Sequence, residues 1–144
     1  MKSHPNAGGL GVNWLIFGSS GYKTKPEGGV LENYTMCAEK NFRPNYHIKT
    51  ICDPLKVLCL VNPHFAIYRR GFHTLTENGE IVEGYLTRTV SFEKIRINHY
   101  FSKSKEEFME KRERGTGLAT KRPIDDFYGH DQNVICDTEI LSRI

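Results

Sequence analysis

The chain has 144 residues and 16.5 kDa, enough for one modest hydrophobic core, and is expected to form a single domain over 1–144. With 38% hydrophobic and 26% charged residues it falls in the ordinary folded class, and its net charge of +3 lacks the clustered cations of a nucleic-acid binder. No apolar run reaches the roughly 18–20 residues needed to span a bilayer.

In chain order, residues 1–8 read as a disordered start without the apolar stretch of a signal peptide. "VNWLIFG" (12–18) reads as a buried strand, and the glycine- and lysine-rich "SSGYKTKPEGG" as a solvent-facing loop. "VLENYTMCAEK" (30–40) places Val30, Leu31, Tyr34 and Cys37 near one helical face and predicts a short helix. "YHIKTIC" (46–52) and "KVLCLV" (56–61) predict strands, the second apolar enough to place Cys59 in a core.

Asn78-Gly79 between "FHTLTE" and "EIVEGY" predicts a hairpin with a type I′ turn. "KIRINHYF" (94–101) predicts another strand. Ser104 and Glu107 have capping-box spacing ahead of the helix "KEEFMEKRERG", which Gly115 ends. One or two short helical pieces close the chain. The expected fold class is therefore α/β, a mixed sheet with short helices and long loops.

The four cysteines contain no CxxC pair, which argues against a zinc site, and a disulfide scaffold is not expected in a chain of this length. "NYT" at 33–35 matches a glycosylation triplet, but nothing else signals secretion. Reduced thiols and a cytoplasmic setting are expected, with association at a membrane surface left open.

Several residues have the chemistry of a site, each beside a plainer role. His64 and His99 follow apolar strands, where an imidazole can reach a sheet-edge cleft and bind a metal or can satisfy a carbonyl. Lys103 and Ser104 at a helix start can hold an anion or can cap a solvated helix. The Phe17, Gly18, Ser19, Ser20, Gly21 loop lacks phosphate-loop spacing but offers hydrogen bonds beside Trp14, whose flat ring suits a sugar as well as a core. Glu27 and Glu32 can act as a general base, or Glu32 can complement a helix dipole.

Together, "GVNWLIFGSSGY", "HIKTICDP", "VNPHFAIY" and "INHYFSKSKEEFMEKRERG" resemble the C-terminal half of glycosyltransferase family 92, from about Gly9 onward. The resemblance rests most on W-x-x-F-G-S-S-G and on I-N-H-Y-x-x-K-S-x-x-E-F with its closing K-x-x-R-G. It implies the C-terminal, acceptor-side part of a GT-A-like transferase that moves a hexose from a nucleotide-sugar, UDP-hexose foremost, to a glycan acceptor with Mn²⁺ or another divalent cation. By that resemblance His99 joins the metal shell and Lys103 with Ser104 meets the diphosphate. Trp14 and Phe17–Gly21 form the acceptor side, and Glu32, with Glu27 behind it, is the base. The family's D-x-D pair is absent from this chain. The chain is thus expected to be a fragment, inactive alone, that needs an N-terminal half or a second copy; the alternative is a non-catalytic carbohydrate-binding or interaction domain.

Overall fold

The computed structural model describes residues 4–116 and 120–143. It is a mixed α/β fold. Seven strands form a mixed sheet, two more form a separate hairpin, and three short α-helices accompany them among the described residues.

The chain divides into two compact units, 1–14 with 40–97 and 15–39 with 98–144, and strand β1 (Ala7–Phe17) runs from the first into the second. β1 begins five residues earlier than the apolar run at 12–18 suggests. Ala7 is buried and pairs with His73, so the expected disorder at 1–8 does not extend to Ala7 and Gly8; residues 1–3 lie outside those described. Gly8 and Gly9 have no periodic apolar signal. They are strand residues because the Tyr68 ring lies over them, where any Cβ would overlap it.

In the first unit β1 pairs antiparallel with β3 (Ile48–Cys52), Leu10 opposite Ile51 and Val12 opposite Lys49. It pairs in parallel with β6 (His73–Leu75), which continues into β7 (Ile81–Val82). The 73–82 hairpin forms as the sequence predicts, but its turn is not type I′. Gly79 has φ +84° while Asn78 stays at negative φ, and Thr76 N–H donates to Glu80 O at 2.8 Å. That is the longer loop in which a single left-handed glycine follows an ordinary turn.

β4 (Val57–Asn62) and β5 (Phe65–Tyr68) form the separate hairpin. The expected burial of "KVLCLV" is corrected: Cys59 is exposed, as are Leu58, Leu60 and Val61. Among the described residues β4 pairs with β5 alone, and no second layer covers it.

In the second unit the predicted helix over 30–40 shortens to one turn, α1 (Val30–Asn33). Met36 and Cys37 instead form β2, Cys37 opposite Phe17 and Met36 opposite Cys136 of β9 (Ile135–Cys136). Sheet pairing outweighs a helical pattern too short to nucleate on its own. β8 (Ile97–Tyr100) pairs with β1, and α2 (Lys105–Arg114) follows it. Phe108 of α2 is fully buried, 5.3 Å ring to ring from Phe127 of α3 (Asp125–His130).

Candidate functional site

In the second unit, the residues singled out from sequence form a tightly satisfied polar junction. Ser104 caps α2, its Oγ accepting from Glu107 N–H at 3.2 Å and donating to the Glu107 carboxylate at 2.9 Å. The Lys103 ammonium, on a residue with φ +52°, pairs with the same carboxylate at 2.7 Å, and the Tyr34 hydroxyl bonds to it as well. Burial opposes ionisation of Glu107, yet Lys103, Tyr34 and Ser104 together hold its pKa at about 2. Burial and that carboxylate in turn push the Tyr34 phenol upward.

The next helix amides are also taken, Lys105 N–H by Tyr22 O and Glu106 N–H by Lys23 O. The anion that Lys103 and Ser104 serve in this structure is therefore Glu107, a side chain of the same helix.

The Phe17–Gly21 loop follows the same logic. Phe17 is buried against Tyr100 at 4.8 Å, and Gly18 lies where a Cβ would overlap Gln132 O. Ser19 N–H donates to Asp131 Oδ1 and Ser20 N–H to Asn133 Oδ1, both at 2.6 Å. Gly21, at φ +84°, donates its N–H to Ser19 Oγ. The loop's amides are thus taken by Asp131 and Asn133, side chains from the chain's own C-terminal part. Glu32 is exposed and returns its carboxylate to Gly29 N–H at 2.8 Å, the dipole-and-cap role; Glu27 is also exposed.

His99 stacks on Phe101 at 5.9 Å. Among the described residues no group of three or more His, Cys, Asp or Glu side chains is placed to hold a metal ion. These residues alone do not fit Mn²⁺.

Trp14 belongs to the first unit and has different company. It is 9% exposed, and its indole N–H donates to Pro44 O at 2.6 Å. Its ring stacks on His47 at 5.3 Å and 17°, and His47 stacks on Tyr85 at 5.5 Å and 20°. His64 closes the edge of the Trp14 ring at 5.4 Å, with Nδ1 2.9 Å from Ile48 O. The outermost ring, Tyr85, is 46% exposed.

That ring opens onto a cleft of about 360 Å³ lined by Arg43, Tyr46, His47, Tyr85, Leu86 and Thr87. Of these, Thr87 is tied to β1 by Asn13, whose Nδ2 donates to Thr87 Oγ1 at 2.9 Å and to Asn45 O at 3.0 Å. An open aromatic face beside a guanidinium, an imidazole and a hydroxyl suits a ligand with apolar C–H faces and hydroxyl edges. Sequence reasoning reached Trp14 but missed Tyr85 and Arg43, which arrive from loops about forty positions apart and follow no motif.

Compared with protein-family models, with curated proteins and with solved structures, the chain matches none.

Proposed function

We propose that this chain is the acceptor-side part of a hexosyltransferase of the family 92 type, and that it contributes a saccharide platform. The supporting observation is the stack Trp14–His47–Tyr85, whose outermost ring faces the cleft beside Arg43, Tyr46 and Thr87. A pyranose lays its C–H face on Tyr85 while its hydroxyls meet Arg43 and His47. Trp14 acts from behind by fixing the His47 ring rather than by touching the sugar. In this reading UDP-hexose is the donor and a glycan the acceptor. Divalent metal and donor are held by chain or partner outside the described residues, in a cytoplasmic setting.

The second reading, a carbohydrate-binding domain without catalysis, is favoured by the missing D-x-D and by the absence of a metal-holding group among the described residues. The two share the platform and separate on turnover. NMR titration with neutral oligosaccharides should shift the signals of 43–47 and 85–87, with a dissociation constant on the order of 1 mM for so open a cleft. Tyr85→Ala should weaken binding about tenfold and leave the fold intact, because only its backbone carbonyl bonds to β3, at Ile48 N–H. Saccharide shifts that avoid these residues would remove the platform. UDP release from UDP-hexoses by this chain alone should stay at background with Mn²⁺ present; a Mn²⁺-dependent rate would restore the complete enzyme.

A further inference from the structure

The β4–β5 hairpin carries apolar surface in an unusual form. Leu58 is 63% exposed, Leu60 69%, Val61 49% and Ile67 46%, and Leu55 just before the hairpin is 82% exposed. Leu58 through Asn62 are consecutive and all exposed. Because side chains alternate across a strand, β4 is bare on both faces, not on one. β5 is the inner strand: Ala66 is buried beside the exposed Ile67.

Charge around the hairpin has one sign. From Pro54 through Thr76 the sequence contains Lys56, Arg69 and Arg70 and no Asp or Glu. Arg69 and Arg70 are exposed at the base of β5. Lys56 pairs with Asp53, just outside this stretch, at 3.4 Å and lies 5.0 Å over the Phe72 ring.

We propose that the β4–β5 hairpin docks on an anionic lipid bilayer, with Leu58, Leu60, Val61 and Ile67 entering the headgroup–acyl boundary and Arg69 and Arg70 meeting acidic headgroups. The inference stands apart from the saccharide reading and does not need it. Three observations choose lipid over a protein. A groove on a protein partner covers one face of a strand, whereas acyl chains surround both. A second copy of this chain would offer Arg69 and Arg70 no acidic partner from the same segment, which has no Asp or Glu. Register shifts at Val57/Cys59 and at Leu60/Asn62 break the ladder that an added strand would extend. Docking at interfacial depth leaves the outer edge of β4 within reach of water and headgroups, which its backbone groups require. Among the described residues no helix is long and apolar enough to cross a membrane, so this contact is peripheral.

The test is co-flotation of the full chain with vesicles of phosphatidylcholine alone and with about 30 mol % phosphatidylserine, at about 0.1 M and about 1 M salt. The chain should float with the serine-lipid vesicles at low salt and largely release at high salt. Leu58→Glu with Leu60→Glu should reduce binding at least tenfold with unchanged thermal melting, since both side chains are already in water. Arg69→Gln with Arg70→Gln should abolish most of the preference for phosphatidylserine, about thirtyfold for two cations near a charged surface. No flotation of the parent chain, or equal flotation of all variants, overturns the proposal. So does concentration-dependent self-association in sedimentation velocity that the leucine pair abolishes while vesicles capture nothing.

Discussion

Glu107→Ala should destabilise the protein by about 4 kcal/mol at neutral pH, the largest single effect expected outside the aromatic core. The carboxylate is a hub. It takes the Lys103 ammonium, the Tyr34 hydroxyl and the Ser104 hydroxyl, and its own N–H is the one Ser104 caps. Ser104 is fully buried and Tyr34 nearly so. Truncation therefore leaves two buried hydroxyl protons without an acceptor, a loss larger than the mean worth of the bonds themselves, and removes the partner of the partly exposed Lys103 ammonium.

Glu107→Gln keeps the shape and some hydrogen bonds, so about 2–3 kcal/mol is expected. The pH dependence separates charge from packing. The folded pKa is about 2 against an ordinary value of 4.5, so the folded state holds fewer protons in that window. Stability from the ionised group is complete above about 4.5 and is lost as pH falls toward about 2. Urea melts at pH 7, 4.5 and 3 should show the gap between parent and Glu107→Gln narrowing as the medium becomes acidic. A gap that stays constant would mean that packing, not the charge on Glu107, stabilises the start of α2.

The second large effect belongs to Asn13, which is 4% exposed on β1. Its amide nitrogen donates to Asn45 O and Thr87 Oγ1 and lies 3.3 Å from Tyr46 O, while Oδ1 accepts from Ser91 N–H at 3.5 Å. One side chain thus ties the strand to two segments outside the sheet, the turn at 43–46 and the connection between β7 and β8. Asn13→Ala should cost about 3 kcal/mol by leaving buried backbone groups without partners and opening a small void. Because Thr87 lines the cleft, the same variant should also weaken saccharide binding, whereas Tyr85→Ala weakens binding alone. Denaturant melts and the NMR titration, run on both variants, read the two effects separately. Unchanged stability in Asn13→Ala would show that water replaces the amide.

Arithmetic on local residues was enough for part of this protein. The α/β class, β3, the 73–82 hairpin and the capped helix at 105–114 are all legible from periodicity and turn chemistry. Each is decided by neighbours within a few positions. The capping box is the clearest case, since Ser104 and Glu107 need only helical geometry to meet.

What the sequence could not show depends on distant pairing. Helical spacing over 30–40 gave way because Cys37 finds Phe17 and Met36 finds Cys136 across the sheet. The apolar run at 56–61 looked like core, but burial needs a covering layer, and among the described residues β4 is paired with β5 alone. Lys103 looked ready for a ligand, but helical spacing alone brings Glu107 to it, whereas the Phe17–Gly21 amides are taken by Asp131 and Asn133, which only the tertiary structure brings near. The Tyr85–His47–Trp14 stack comes from three separate segments, so no local pattern marks it. Short-range geometry is written in residue order, whereas occupancy of a donor, cover for a strand and convergence of rings are settled only when the chain closes on itself.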